Sequence, residues 1–123
     1  MIRSDLPALL DVDEHRCAST LGVPTAVLSL RGEMDADGAG PLRDRINELA
    51  GEGVGLVVAD LREVSFLGAT GLGVLAGGAA RLRRGGGDLV LVLTHEGPVA
   101  RVLALTGVDQ AVSVFSTPQE AVG

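Results

Sequence analysis

The 123-residue chain contains no lysine, no tryptophan and no tyrosine, and it has one cysteine, Cys17. Without lysine it can form neither a phosphate-binding P-loop nor a Schiff base, because both depend on a lysine amine. Without tryptophan or tyrosine it lacks the usual platforms for stacking nucleic acid bases and for caging cations. A single cysteine allows no internal disulfide and no thiolate-rich zinc site, so we expect Cys17 to be a small buried hydrophobic residue.

Basic charge is also scarce. Ten arginines stand against 16 acidic residues, which gives a net charge of -6, and such a surface disfavours binding to nucleic acid. No apolar run approaches the roughly 20 residues that a membrane span requires, and Met1–Asp5 lacks the pattern of a signal peptide. We therefore expect one domain over residues 1–123, located in the cytoplasm and not inserted into a membrane, with residues 1–8 as a flexible start.

Apolar runs alternate with segments of helical spacing along the chain. The predicted strands are residues 9–18, 25–31, 54–61, 88–93 and 112–115, and the short link between the first two predicts an antiparallel hairpin. The predicted helices are residues 35–51, capped by Asp35 or Asp37 with Pro41 in the first turn, then 70–84, 98–105 and a short one capped within 116–120. This order predicts an α/β fold with a mixed, mostly parallel sheet of about five strands and about four helices.

The link between the strand at 54–61 and the helix at 70–84 is unusually rich in small residues. Four glycines lie in the helical segment itself, at Gly71, Gly73, Gly77 and Gly78. Each glycine inside a helix costs about 1 kcal/mol relative to alanine. Four of them indicate that another part of the molecule, or a partner, approaches this helix closely.

Several catalytic or cofactor motifs are weak in this chain. Residues 71–76 fit the dinucleotide pattern G-x-G-x-x-A, but the acid expected at the end of the next strand is missing, because Asp88 begins that strand. Asp60 resembles a phosphoacceptor aspartate, but that chemistry needs a lysine partner, so we expect Asp60 to cap or hydrogen-bond the turn after its strand. His15 and His95 have no ligands at metal-binding spacing, and no nucleophile has a base nearby. We expect no enzyme activity, no cofactor and no metal.

Two charge clusters have simple structural explanations. The arginines at the end of the 70–84 helix complement its negative C-terminal dipole; they are Arg81, Arg83 and Arg84. The acidic group Asp11, Asp13 and Glu14 indicates a solvated face or a sheet edge protected from pairing.

Four segments in order resemble the STAS domain, a family that includes bacterial anti-sigma factor antagonists and the cytoplasmic tails of sulfate transporters. The segments are 32–35 after a strand, 60–66 leading into 70–75, 106–108, and 116–121. The resemblance extends from about Leu9 to the C-terminus.

The resemblance implies a protein that acts by binding. Family antagonists dock on a histidine-kinase-like anti-sigma factor of the serine protein kinase type, so that the sigma factor is released. The positions implied for partner binding are Glu33, Asp35, Gly68, Ala69, Thr70, Gly71, Leu72 and Gly73. The alternative within the family is a regulatory or structural subunit of a membrane transporter complex.

The sequence departs from the family at the phosphorylated turn. Where the family has Asp-Ser-Ser or Asp-Ser-Thr, this chain has Gly68, Ala69 and Thr70, so the phosphoacceptor position, Ala69, has no hydroxyl group. Three interpretations follow: an antagonist that is not switched off in the usual way, one phosphorylated on Thr70 instead, or a domain with a changed partner. Thr70 could alternatively cap the helix that follows it.

Overall fold

The computed structural model describes residues 10–123; the predicted flexible start, residues 1–8, and the predicted first strand residue, Leu9, lie outside this range. Five strands and five helices follow one another along the described chain. The strands are β1 (Leu10–Ala18), β2 (Pro24–Met34), β3 (Leu56–Leu67), β4 (Asp88–Val92) and β5 (Val114–Phe115). The helices are α1 (Ala36–Gly51), α2 (Ala69–Arg84), α3 (Pro98–Thr106), α4 (Val108–Ala111) and α5 (Pro118–Val122).

The five strands form one sheet in the order β1-β2-β3-β4-β5. β1 and β2 pair antiparallel, and the remaining neighbours pair parallel. The predicted α/β class, the hairpin and the mostly parallel sheet are confirmed. Parallel neighbours in a sheet need a crossover between them, and α1 and α2 supply the first two crossovers.

Both faces of the central strand β3 are covered, which explains its apolar sequence. Val57, Ala59 and Leu61 point into the main core with residues of α1, α2 and α3. Val58 lies in a smaller cluster on the opposite face, together with Ala121 of α5. Cys17 is only half-buried, packed against that smaller cluster rather than enclosed in it.

The structure corrects three details of the predicted elements. β3 runs on to Leu67 instead of ending at residue 61, because it keeps pairing with β2 past two register shifts as far as Met34. Pro41 lies inside α1 rather than in its first turn, since the helix already begins at Ala36. The short helix α4, after Gly107 in the left-handed conformation (φ 79°), was not predicted.

Helix ends follow the predicted signals in two of three cases. Asp35 occupies the N-cap position of α1, although its side chain makes no capping hydrogen bond. The C-terminal helix α5 has a complete capping box between Thr117 and Glu120, which confirms the cap predicted there. The predicted cap of α2 by Thr70 is wrong, because α2 already begins at Ala69 and its N-cap residue is Gly68.

Candidate functional site

The end of β2 and the start of α2 lie side by side. Met34 pairs with Leu67 in the last register position of the two parallel strands. Just beyond it, the Gly68 N–H donates to the Met34 carbonyl oxygen at 3.1 Å. The segments 33–35 and 68–73, which we call the turn surface, are therefore adjacent. They hold all eight residues that the sequence resemblance implied for partner binding.

The glycines of α2 fall into two groups. Gly71 is buried, and a Cβ atom there would press on the Met34 carbonyl oxygen and lie 2.9 Å from Leu67 Cδ1. Gly78 likewise faces Leu89 and Ile46 at 3.1 and 3.2 Å. In contrast, a Cβ atom at Gly73 or Gly77 would meet no atom within 4 Å in the described part of the chain. The first pair serves internal packing, whereas the second pair leaves the helix surface open.

The carboxylate of Asp35 lies directly against Gly68. A Cβ atom at Gly68 would be 2.5 Å from the Asp35 carboxyl carbon and closer still to one of its oxygens. Any side chain at position 68 would therefore have to displace Asp35. The negative charge stands at the N-terminal end of α2, where the helix dipole favours an anion.

Thr70 does not cap α2, because the helix starts before it. Gly68 is the N-cap residue, in an extended conformation (φ -94°, ψ -179°), and its carbonyl oxygen accepts from the Leu72 N–H at 3.0 Å. Position 68 has no side chain, so no side-chain hydrogen bond caps this helix. Thr70 is exposed, and its hydroxyl makes no hydrogen bond to a residue within 10–123.

The turn surface combines small exposed residues with one large apolar neighbour. Ala69, Thr70 and Gly73 are exposed, and Leu72 is half-buried against the core. Beside them, at the end of β3, Phe66 keeps 49% of its surface exposed. Phe66 pairs across the sheet with Glu33, which is also exposed. The result is a shallow surface that a partner can approach closely.

The other candidate residues have structural roles. Asp60 is 7% exposed, and its carboxylate accepts three hydrogen bonds from the Arg62 side chain, of 2.8 to 3.2 Å, and one from the Arg62 backbone N–H at 3.1 Å. The prediction that it bonds the turn after its strand is wrong, because β3 continues through residue 62. The hydrogen bonds that Arg62 donates to the Asp60 carboxylate also raise the pKa of Arg62.

The two histidines lie apart, and both are exposed. His15 is on β1, and His95 is in the loop after β4, with its Nε2 atom 3.0 Å from the Ser116 hydroxyl oxygen. Among residues 10–123 no group of three or more histidine, cysteine, aspartate or glutamate side chains is arranged to hold a metal ion. Within the same residues, no helix is both long and apolar enough to cross a bilayer.

Sequence reasoning missed two features of this region. The contact of Asp35 with Gly68 joins residues that are distant in sequence, and only the missing side chain at position 68 hints at it. The α1 residues that face α2, Arg43 and Asn47, were not singled out either. The two residues are four positions apart on one helix, so the sequence shows that they share a face. It does not show which other element that face contacts.

This architecture is that of the anti-sigma factor antagonists among solved structures. An antagonist from Mycobacterium paratuberculosis superposes with a TM-score of 0.78 and 27% identity, over 94% of this chain and 93% of that one. Unphosphorylated SpoIIAA, at 20% identity, shares the fold with a TM-score of 0.76, over 91% and 93% of the two chains.

The chain belongs to the STAS domain family, whose model matches residues 18–121. It is 34% identical over 97 residues to the anti-sigma-F factor antagonist RsfB of Mycobacterium tuberculosis, covering 78% of this chain and 77% of the relative. It is 30% identical over 95 residues to the anti-sigma-B factor antagonist of Bacillus subtilis, covering 77% and 85%.

Proposed function

We propose that this STAS domain is a cytoplasmic anti-sigma factor antagonist. It binds a histidine-kinase-like anti-sigma factor and so releases a sigma factor for transcription. Two relatives at 34% and 30% identity bear the name of anti-sigma factor antagonists, which supports this role. The protein acts by binding, without catalysis of its own.

The observation that carries the proposal is the open start of α2. Gly71 holds the helix against β2, so that Ala69, Thr70 and Gly73 are presented outward on a well-packed support. Gly73 remains open although alanine would stabilise the helix there. A partner whose backbone approaches the helix closely explains that choice.

We further propose that the usual phosphorylation switch is absent. Ala69 stands at the phosphoacceptor position and has no hydroxyl group. A phosphoryl group adds about -1.5 to -2 charges, and the carboxylate of Asp35 already occupies the adjacent space beside Gly68. Residue 69 directly follows Gly68 and like charges repel each other, so the position of Asp35 supports an antagonist that stays in its binding form.

The first test is recovery of the partner. The tagged chain is used for a pull-down from lysate of its own organism, and the affinity for the recovered anti-sigma factor is then measured by calorimetry. Recovery of transporter subunits in its place would favour the other role known in the family. Recovery of neither would contradict the proposal.

Gly73→Lys locates the contact within the same assay. Gly73 is exposed, and an added Cβ atom would meet no described atom within 4 Å, so the fold should persist by circular dichroism while binding is lost. Leu72 is less suitable, because it is half-buried against the core. Gly51→Lys is the matched control, since Gly51 is equally open but lies at the far end of α1. Unchanged affinity of Gly73→Lys would place the contact elsewhere.

The second test concerns the switch. Incubated with the recovered anti-sigma factor and MgATP, the wild-type chain should keep its intact mass. Ala69→Ser should gain one phosphoryl group when its hydroxyl reaches the kinase. A phosphate on Thr70 of the wild-type chain would refute the absence of the switch.

A further inference from the structure

A groove of about 410 Å³ lies between α1 and α2, next to the turn surface. Its floor is apolar: Ile46 and Val74 line it and are only 1% and 5% exposed. Gly73 and Gly77 form part of its wall and carry no side chain that would fill it. The groove is thus a lined depression with a hydrophobic base, and its volume lies in the range of ligand sites.

The rim of the groove is positively charged, although the chain as a whole carries -6. Arg43, Arg81 and Arg84 line it. Arg81 and Arg84 form no ion pair with any residue in 10–123, and Arg43 reaches only Asp44, at 3.9 Å. Arg83, on the other side of α2, is by contrast paired with Asp88 at 2.8 Å.

The helix dipole explains only part of this cluster. It accounts for Arg81 and Arg84 at the C-terminal end of α2. Arg43 lies in the first half of α1, where the dipole gives no advantage to a cation. Three guanidinium groups without strong partners therefore converge on one groove from two helices, and they complement an acidic occupant.

The groove is longest along α2. Its lining runs along α2 from Thr70 to Arg84, which at 1.5 Å per residue is about 21 Å. That length matches an α-helix of about four turns better than a compact small molecule. The missing side chains at Gly73 and Gly77 allow the backbone of such a helix to come close.

We propose that this groove binds an amphipathic helix of the anti-sigma factor. Its apolar face rests on Ile46 and Val74, and its flanking aspartate or glutamate residues pair with the three arginines, a helix-in-groove mode of recognition. The inference rests on the proposed function, because Thr70 and Gly73 belong to both the groove and the turn surface, so one partner would cover both.

A peptide probe tests the groove without the partner. The probe is a helical peptide of about 16 residues with leucines on one face and glutamates on its flanks, compared with the same peptide carrying lysines in place of the glutamates. In ¹⁵N NMR spectra of the full chain, the glutamate peptide should shift the amide signals of Gly73, Gly77 and Gly78, and the lysine peptide should not. Equal shifts with both peptides, or none with either, would overturn the proposal.

The partner provides the second measurement. Arg81→Glu should weaken binding of the recovered anti-sigma factor by about tenfold at low salt, and the loss should shrink as salt screens the charges. Arg101→Glu is the matched control, because Arg101 is an exposed arginine on α3 that does not line the groove. Its affinity should stay within about twofold of wild type.

The outcomes separate the two proposals. If the wild-type chain binds no anti-sigma factor, the proposed function fails, and the peptide titration decides the groove by itself. If wild type and Arg81→Glu bind the anti-sigma factor equally well, only the groove proposal fails. Amide shifts that grow with protein concentration alone, without any effect of the glutamate peptide, would assign the groove to a second copy of the chain and overturn the proposal.

Discussion

Gly71 and Gly73 lie two residues apart in α2, and we expect alanine to have opposite effects on stability at the two positions. At Gly73 a new methyl group would meet no described atom within 4 Å. At Gly71 it would press on the Met34 carbonyl oxygen, which is backbone and cannot rotate away, and on Leu67 Cδ1 at 2.9 Å. Both substitutions add one methyl group to a glycine of the same helix, and they differ only in the atoms that surround it.

The magnitudes follow from these contacts. Gly73→Ala should raise the free energy of unfolding by about 0.5–1 kcal/mol, because alanine restricts the unfolded chain and favours helix. Gly71→Ala has the same benefit, but overpacking typically destabilises by about 1–3 kcal/mol. Separating α2 from β2 would also weaken the hydrogen bond from Gly68 to Met34, which contributes about 1 kcal/mol. The net effect should be a destabilisation of roughly 1–3 kcal/mol.

Urea unfolding followed by circular dichroism measures both changes. The transition midpoint should move up for Gly73→Ala and down for Gly71→Ala, with an unchanged slope, since the surface exposed on unfolding stays the same. A Gly71→Ala variant at least as stable as wild type would refute the close packing of α2 on β2. A destabilised Gly73→Ala would refute the openness of its surface.

The same pair links stability to function. If Gly73→Ala is more stable and yet binds the anti-sigma factor more weakly, then the glycine serves the partner rather than the fold. Improved stability without loss of affinity would remove the argument that a partner approaches the helix backbone at this position.

Two further predictions concern charges. Gly68→Ala should destabilise the wild-type chain and should cost much less when Asp35 is also replaced by alanine, because the three atoms nearest to the added methyl group all belong to the Asp35 carboxylate. Additive effects in a urea double-mutant cycle would contradict this contact. Hydrogen bonds from Arg45, at 2.7 and 2.8 Å, hold the pKa of Glu14 below its usual range. A carboxyl group whose pKa is lower in the folded state than in the unfolded state stabilises the fold at pH values above its unfolded pKa, which is about 4.3. The stability difference between wild type and Glu14→Gln should therefore be present at pH 7 and disappear as the pH falls through the lowered pKa. A difference that does not change with pH would show that the charge pair of Arg45 and Glu14 does not stabilise the fold.

The sequence predicted the strands and helices well where burial alone decides them. In β3, four buried residues are apolar because both faces of the strand are covered, and this pattern is visible without a structure; they are Val57, Val58, Ala59 and Leu61. The extension of β3 to Leu67 was not visible, because Arg62, Glu63 and Ser65 are exposed. The strand continues through this polar stretch because Glu63, Val64, Phe66 and Leu67 pair with β2.

The start of α2 shows the same limit at the candidate site. The sequence predicted which segments form the turn surface, and the structure brings them together. The sequence did not show that the helix begins at Ala69, because this start depends on hydrogen bonds that Gly68 makes with Met34 and Leu72. The groove was hidden for a similar reason, since its arginines come from two helices that meet only in the folded chain.

Asp35, Gly68 and Ala69 form a consistent set at this helix start. Gly68 makes room for the Asp35 carboxylate. The N-terminus of α2 carries the equivalent of about half a positive elementary charge, and this carboxylate already supplies the negative charge that it favours. A phosphoryl group on residue 69 would compete with that carboxylate for the same dipole and repel it. We therefore expect the phosphorylated Ala69→Ser variant to unfold at lower urea than the phosphorylated double variant Ala69→Ser, Asp35→Asn, which lacks the competing charge. If the phosphorylated single and double variants are equally stable and bind the partner identically, Asp35 has no part in how the chain responds to a phosphoryl group at position 69.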